Sequence, residues 1–228
     1  MRLQDQISEQ IARVQSRLEA AAKRSGRSSK EITLVAVTKT VPFEQVLPFL
    51  QAGIGHIGEN RVQEAGAKYR NPDGSKRVEA ALHLIGPLQT NKAKKAAEFF
   101  DLIQTLDRME LAEDLDRHAK ALGRQVPCLV EVKISTESTK HGLSPEKVVD
   151  FISEVQSRTA LQVKGLMGIA PLTKAAEEAR PYFAALRKLF EKTHLDILSM
   201  GMSSDFEVAI EEGSTMIRVG TALFGARA

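Results

Sequence analysis

Apolar residues recur along the chain in two alternating patterns. Near the N-terminus they follow the three- and four-residue spacing of an amphipathic helix, at Ile7, Ile11, Val14 and Leu18. The run ITLVAVT at 32–38 is instead β-branched and almost entirely apolar, which is typical of a strand buried on both faces. A second helix is predicted from Pro42 to Gly53, with an apolar face formed by Phe43, Val46, Leu47 and Leu50.

This alternation of strand and helix continues along the rest of the chain. Strands are predicted at 32–38, 56–58, 82–86, 101–106, 128–134, 163–169, 196–201 and 215–220. The later helices are predicted at 61–69, 90–99, 107–122, 145–158, 173–192 and 203–212. Apolar strands separated by helices imply a parallel sheet, and eight such units favour a closed barrel over an open doubly wound sheet. We therefore expect residues 1–228 to form one α/β domain, a (β/α)8 TIM barrel.

One glycine pattern matches a dinucleotide-binding motif, but its position among the predicted helices and strands argues against that function. Gly53, Gly55 and Gly58 spell G-x-G-x-x-G, the pattern of dinucleotide-binding folds. That fingerprint needs a strand before it and a helix that starts within it. Here a helix precedes the glycines and a strand runs through them. Gly53 is better interpreted as the end of a helix, and no dinucleotide site is expected.

Composition narrows the class of protein. Apolar residues make up 43% of the 228 residues, and the net charge of +3 gives no broad field for nucleic acid. No stretch reaches the ~20 apolar residues of a membrane span, and the N-terminus lacks the apolar core of a signal peptide. The single cysteine, Cys128, excludes an internal disulfide and a multi-cysteine zinc site. We expect a cytoplasmic protein without nucleic-acid or membrane partners.

In such a barrel, function gathers at the carboxyl ends of the strands. The first strand ends in Lys39, and a lysine at the end of a buried apolar strand is unusual. It is either a rim lysine whose stem lies along the barrel or an amine that forms a Schiff base, since partial burial favours the neutral, nucleophilic form. Asn60 and Thr90 also follow strands, and each alone is explained by helix capping.

The last two strand ends carry the features of a phosphate site. Ser203 and Ser204 stand directly before a short predicted helix, whose first N–H groups would favour an anion. Gly220 lets the backbone approach an anion closely, and Thr221 adds a hydroxyl. Barrel enzymes often bind phosphate at the loops after strands seven and eight. The alternative for 203–205 is a plain capping segment. A phosphate site together with Lys39 suggests pyridoxal 5′-phosphate (PLP).

The chain resembles the YggS/PROSC family of PLP-binding, PLP-homeostasis proteins. The resemblance runs from the first strand to the C-terminus in family order, and the segments are specific together although each is weak alone. The matching segments are VAVTKTVP (35–42), GENRVQE (58–64), HLIGPLQTNK (83–92), ESTKHGL (137–143), GLMGIAP (165–171), LSMGMSSDFEVAI (198–210) and IRVGTALFG (217–225).

The resemblance implies a fold and a set of cofactor-binding residues. The fold is that of the N-terminal barrel of alanine racemase, known as PLP fold type III. Lys39 would form the Schiff base, and Arg218 would face the pyridine nitrogen. The other residues implied for PLP are Asn60 near the ring, Met200 in the pocket, and Ser203, Ser204, Gly220 and Thr221 around the phosphate. Lys140 matches a lysine position of the family and is either a secondary basic contact or a solvated surface residue.

The same resemblance favours a carrier that holds and supplies PLP over an enzyme. Arg218, which is always protonated, would leave the pyridine nitrogen unprotonated and a weaker electron sink. Racemisation needs a proton donor on each face of the substrate carbon, and related racemases supply one from an additional C-terminal domain. The chain ends at Ala228, Tyr69 and Tyr182 are predicted on outer helices, and His83 is predicted at the opposite end of the barrel.

Three functions remain open at this point. The first is a monomeric PLP carrier without substantial turnover, which could deliver PLP to PLP-dependent apoenzymes. The second is a PLP-dependent amino-acid racemase or lyase. The third is a phosphate-binding barrel of sugar metabolism without PLP.

Overall fold

In the computed structural model, which describes residues 3–135 and 141–225, eight parallel strands close into a barrel in sequence order. The strands are β1 (Thr33–Val37), β2 (His56–Glu59), β3 (Ala81–Leu84), β4 (Leu102–Leu106), β5 (Pro127–Val132), β6 (Gln162–Gly168), β7 (Ile197–Ser199) and β8 (Met216–Val219). The α-helices are α1 (Leu3–Arg24), α2 (Phe43–Gln51), α3 (Val62–Tyr69), α4 (Ala93–Phe99), α5 (Met109–Ala121), α6 (Val148–Arg158), α7 (Arg180–Phe190), α8 (Phe206–Glu211) and α9 (Thr221–Phe224). The predicted closed α/β barrel is confirmed.

The barrel closes where β1 pairs with β8. Thr33 stands opposite Met216, and Val35 stands opposite Arg218. Because every neighbouring pair is parallel, the carboxyl ends of all eight strands meet at one mouth. Lys39 and Arg218, which are far apart in sequence, are therefore brought to the same side of that mouth.

Apolar side chains pack in two layers. A small buried cluster inside the barrel combines one residue from each of five strands: Val35, Leu102, Leu129, Met167 and Met216. A much larger cluster fills the space between the strands and the surrounding helices. Residues that alternate along a strand face these two layers in turn, since the side-chain period of a strand is two.

The predicted helices differ from the observed ones at their faces and ends. On α2 the buried residues are Phe43, Val46 and Phe49, whereas Leu47 is exposed, so its assignment to the apolar face is wrong. The helix predicted at 203–212 begins only at Phe206, because 203–205 form a turn. The short helix α9 was not predicted; with only four residues it shows too little periodicity to be recognised.

The first helix lies outside the eight strand–helix units and is tied to α8 by ion pairs. Arg17 binds Glu207 at 2.7 Å, and Arg24 binds Glu211 at 2.6 Å. Glu211 also accepts a 2.6 Å bond from Arg180 of α7. The helix that follows the predicted phosphate loop is thus held from two sides.

No helix within 3–135 and 141–225 is both long and apolar enough to span a membrane. In the same ranges, no group of three or more histidine, cysteine, aspartate or glutamate side chains is arranged to hold a metal ion.

Candidate functional site at the barrel mouth

A cavity of about 660 Å³ opens at the mouth between β1, β7 and β8. Six of the eight residues predicted from the sequence line it together: Lys39, Ser203, Ser204, Arg218, Gly220 and Thr221. Lys39 is half-buried, Ser204 and Thr221 are exposed, and Arg218 is buried. The cavity therefore combines an amine, a buried guanidinium and a group of hydroxyl and backbone donors.

Asn60 and Met200 are not among the lining residues of this cavity. Asn60 lines a neighbouring cavity of about 880 Å³, together with Arg61, Lys92 and Arg108. Met200 follows Ser199, whose side chain points into the barrel, so its own side chain is directed outward into the apolar layer beneath the helices. Met202, two residues on, lines the Lys39 cavity instead.

The remaining candidates from the sequence are a basic contact at Lys140 and helix caps at Thr90 and Asn60. Lys140 lies outside the described residues. Thr90 is not a helix cap, since Gln89 holds the cap position before the short 3-10 helix at Thr90–Lys92, and the Thr90 hydroxyl accepts a 3.1 Å bond from Arg108. Asn60 is not a cap either, because Arg61 holds that position at the start of α3.

The backbone turns sharply directly after Lys39. Thr40 has φ of +64°, a left-handed conformation that is unfavourable for a β-branched residue. Its N–H donates to Glu64 at 2.7 Å, and its hydroxyl donates to the Lys39 carbonyl at 2.6 Å. Strained backbone of this kind persists only where surrounding contacts enforce it, and it concentrates at functional sites.

A buried polar cluster fixes the chain from below, at Thr38. The Thr38 hydroxyl donates to Glu59 at 2.7 Å and accepts from the Tyr69 hydroxyl at 2.8 Å. Lys68 donates to the Thr38 carbonyl and to Glu59, both at 2.7 Å. Three side chains from β2 and α3 thus hold Thr38, the residue that precedes Lys39. Sequence reasoning missed this cluster, because helix periodicity places Lys68 and Tyr69 outside the barrel without showing that they reach back to it.

Burial controls the ionisation of this cluster. The pKa of Glu59 is raised by desolvation, and Lys68 and Thr38 oppose that shift. One oxygen of Glu59, Oε2, is buried without a hydrogen-bond partner. The pKa of Tyr69 is also raised by burial, so its hydroxyl keeps its proton and donates to Thr38. Tyr69 ends α3, an outer helix as predicted, but its side chain is fully buried against the barrel.

The predicted phosphate loop is shaped by two residues. Gly201 has φ of +94°, and a Cβ there would approach the Cβ of Ala209 to 2.6 Å, so the turn requires glycine. Asp205 accepts the N–H of Met202 at 2.6 Å and closes the turn. The Gly201 carbonyl accepts the backbone N–H of Arg218 at 3.0 Å, which ties the loop to β8.

Ser203 connects this loop to the end of β8. Its hydroxyl oxygen accepts the backbone N–H groups of Gly220 at 3.1 Å and of Ala222 at 3.3 Å. It does not cap α8, so the plain capping interpretation of Ser203 is wrong. The two N–H groups therefore converge on the Ser203 oxygen, which holds this loop and the end of β8 together at the cavity wall.

Arg218 is held inside the barrel. Its guanidinium donates to the Ser199 hydroxyl at 2.6 Å and to the Gly168 carbonyl at 3.0 Å. Burial lowers the pKa of Arg218 to about 10, and the negative charges of Glu131 and Asp205 oppose the shift. Arg218 thus remains a cation at neutral pH while it lines the cavity.

The expected acid–base groups lie away from the cavity. Tyr182 is half-buried on α7, and neither it nor Tyr69 is a lining residue. His83 is the third residue of β3, and its ring bonds to His56 and Gln104 inside the barrel. Its predicted position away from the mouth is consistent with this contact, because His56 begins β2.

Comparison with known proteins matches nearly the whole chain. The family model described as alanine racemase, N-terminal domain, matches residues 10–228. The pyridoxal phosphate homeostasis protein of Aquifex aeolicus is 40% identical over 225 residues, covering 96% of this chain and 97% of that protein. The protein of the same name from Escherichia coli is 39% identical over 228 residues, covering 97% of each.

Solved structures show the same relationship. PipY of Synechococcus elongatus, solved with PLP bound, superposes with a TM-score of 0.82 at 37% identity and covers 96% of this chain and 100% of PipY. Alanine racemase of Clostridium difficile superposes with a TM-score of 0.73 at 13% identity, over 98% of this chain and 57% of the racemase, which shows the shared fold. The chain therefore belongs to the family of pyridoxal phosphate homeostasis proteins, which are built on the barrel of the alanine racemase N-terminal domain.

Proposed function

We propose that this protein binds pyridoxal 5′-phosphate in the Lys39 cavity and takes part in its intracellular homeostasis and supply. The family relationship supports the proposal, as does the related PipY structure with PLP bound. The observation that carries it is that Lys39, Arg218, Ser203 and Gly220 line one cavity.

The donor set fits the parts of the cofactor. PLP supplies two chemical groups, an electron-withdrawing ring and an aldehyde. The aldehyde condenses with amines. Lys39 is the amine that would bind the aldehyde carbon, and Arg218 would face the pyridine nitrogen. The residues proposed for the phosphate are Ser203, Ser204, Gly220 and Thr221. Asn60 near the ring and Met200 beside the pocket stay predictions, to be tested by substitution.

Gly220 gives an independent test of the fit. A Cβ at Gly220 would approach Val37 no closer than 3.5 Å, which is ordinary contact. The protein's own packing therefore does not require glycine at this position. A ligand that approaches the backbone closely does require it, and phosphate is such a ligand.

The lining of the cavity supports supply over turnover. Among the described residues that line it there is no tyrosine, histidine, cysteine, aspartate or glutamate. Proton transfer on both faces of a substrate carbon needs two positioned groups of this kind. We propose that residues 1–228 act as one PLP-binding domain, as a cytoplasmic monomer that can yield PLP to apoenzymes.

Absorbance and turnover measurements test the proposal. The purified protein with PLP is expected to absorb at the border of the visible and near-ultraviolet, and borohydride is expected to fix the cofactor to Lys39. Lys39→Ala should lose that absorbance and stay folded, whereas Lys23→Ala, which changes an exposed lysine of α1, should keep it. A wild-type protein that stays colourless with PLP would contradict binding.

Turnover and delivery are measured separately. Incubation with L- and D-amino acids, followed by chiral analysis, is expected to give no substantial product. Turnover above about 1 per second, at the lower end of typical enzyme rates, would favour a racemase or lyase. Delivery is tested by activation of a PLP-dependent apoenzyme, and sedimentation velocity tests the monomer.

A further inference from the structure

A continuous chain of buried polar side chains crosses the inside of the barrel. It begins at Arg218 in the Lys39 cavity and passes through Ser199 at 2.6 Å and Gln104 at 2.7 Å. It continues to His83 at 3.0 Å and ends at His56, a further 3.0 Å away. These residues lie on β8, β7, β4, β3 and β2, so the chain joins strands on different sides of the barrel.

The atoms along this chain determine the direction of its hydrogen bonds. Arg218 can only donate, so the Ser199 oxygen accepts and its hydroxyl donates to the Gln104 carbonyl oxygen. The Gln104 amide nitrogen then donates to Nδ1 of His83. A neutral His83 must carry its hydrogen on Nε2, which donates to Nδ1 of His56. Every donor therefore points away from the cavity.

One further contact and deep burial hold the middle of this series of hydrogen bonds in this orientation. The amide nitrogen of Gln104 also donates to the Met216 sulfur at 3.2 Å. Turning the amide over would place its carbonyl oxygen against two acceptors, this sulfur and Nδ1 of His83. Gln104 and Ser199 are fully buried, and His83 is 2% exposed, so water does not replace these partners. A buried polar network that is satisfied at every step favours one arrangement.

The histidine end of the chain is kept neutral. Burial lowers the pKa of His83 to about 3, and the neighbouring His56 and Lys76 act in the same direction while Asp101 opposes them. Burial also lowers the pKa of His56, again opposed by Asp101. A proton on Nδ1 of His56 would face the hydrogen on His83, so this direction of the hydrogen bonds requires both rings to be neutral.

We propose that Ser199, Gln104 and His83 are positioning residues for PLP binding: their one-directional chain of hydrogen bonds fixes the orientation of Arg218 from within the barrel. The inference rests on the proposed function, since Arg218 is the residue proposed to face the cofactor ring. It adds that the ring-facing cation is oriented through a relay of side chains that do not line the cavity.

Substitutions along the chain test the proposal. Ser199→Ala removes a single oxygen, and Gln104→Leu removes the amide with little change in size. Thr105→Val is the matched control, because Thr105 is also a buried residue of β4. Its hydroxyl takes no part in the series of hydrogen bonds from Arg218 to His56 and donates to the Gly86 carbonyl at 2.9 Å. PLP affinity and the absorbance maximum are measured by titration, and folding by thermal unfolding.

Ser199→Ala and Gln104→Leu, the two chain variants, should differ from the control in PLP binding. Both chain variants are expected to bind PLP about tenfold more weakly, as for loss of about one hydrogen bond to a charged group, and to shift its absorbance maximum. Thr105→Val is expected to leave affinity and spectrum unchanged. Chain variants that bind PLP like Thr105→Val would overturn the inference. If the wild type itself bound no PLP, the proposed function would fail instead.

Nitrogen NMR of the histidine rings adds a measurement that needs no cofactor. Wild-type His83 is expected in a single neutral form with its hydrogen on Nε2, and Gln104→Leu should populate both neutral forms because the donor to Nδ1 is gone. A wild-type His83 that carries its hydrogen on Nδ1 would show that the chain does not run in the proposed direction.

Discussion

Lys68→Met breaks the buried ion pair beneath Lys39 while keeping the length of the side chain. Lys68 is 10% exposed, Glu59 is fully buried, and their charged atoms are 2.7 Å apart. The substitution leaves the Glu59 carboxylate without its cation and the Thr38 carbonyl without the Lys68 donor. It therefore removes the central partner of the cluster that holds the β1–α2 turn.

The expected loss of stability is large. Removing one partner of a buried ion pair costs about 3–5 kcal/mol, because the remaining charge is uncompensated. For a domain of this size each kcal/mol corresponds to roughly 2–4 °C, so the melting temperature should fall by roughly 6–20 °C. Lys120→Met is the matched control: its pair with Asp116 has the same 2.7 Å length, but the lysine side chain is 61% exposed. Solvent screens the exposed lysine, so this pair should contribute about 1 kcal/mol or less even though the Asp116 side chain is only 11% exposed.

The loss should also depend on pH. Burial raises the pKa of Glu59, and Lys68 opposes that rise, so the variant's folded-state pKa should be higher still. A carboxyl whose folded pKa lies above its unfolded value binds more protons in the folded state. Its contribution to stability is present below the unfolded pKa and is lost as pH rises through the folded pKa. Lys68→Met should therefore be less destabilised in acid than in base.

Chemical denaturation at about pH 5.5 and about pH 8.5 measures both effects. Adding Glu59→Gln to Lys68→Met should restore part of the stability and remove most of the pH dependence, because no buried charge remains. An equal loss at both pH values, or no recovery in the double variant, would refute the assignment to an uncompensated carboxylate.

Three smaller predictions concern single positions. Gly220→Ala should weaken PLP binding at least about tenfold with little change in melting temperature. Gly201→Ala should instead lower the free energy of unfolding by about 2 kcal/mol, because of the +94° φ and the close contact with Ala209. Titration with PLP and thermal unfolding distinguish the two outcomes. Burial raises the pKa of the Cys128 thiol to about 12. Cys128 should therefore resist a chromogenic thiol reagent until the protein is denatured. Thr40→Asn should raise the free energy of unfolding by about 1 kcal/mol, since asparagine tolerates left-handed backbone; denaturant unfolding measures it.

The sequence was sufficient for the barrel and for most of the mouth. Eight apolar strands alternating with helices specify a parallel closed sheet, and the strand ends then converge whatever the loops do. Lys39 and Gly220 were located this way, because Lys39 comes two residues after β1 and Gly220 directly follows β8. The role of Arg218, which lies within β8, came from the family resemblance. Met200 was assigned to the pocket by its motif, and a motif does not show the direction of a side chain. In the structure Met200 is buried in the apolar layer and does not line the Lys39 cavity, and its role toward PLP stays a prediction.

Contacts between distant residues could not be predicted in the same way. Gln104 and Ser199 are 95 residues apart, and hydrophobic periodicity indicates which face a residue takes but not its partner across the barrel. Tyr69 ends a helix, and only the three-dimensional packing shows that its hydroxyl reaches Thr38. The positive φ of Thr40 likewise carries no composition signal, because glycine or asparagine would be expected there.

The attachment of α1 to α8 has a consequence for any shortened form of the protein. A version that starts at β1 would keep all eight strands and every side chain around the cavity. It would lose Arg17 and Arg24, and of the ion pairs that hold Glu207 and Glu211 of α8 only the one from Arg180 of α7 would remain. The turn at 201–205 would then move with the helix behind it, so a truncated barrel should lose its grip on an anion at temperatures where its strands are still intact.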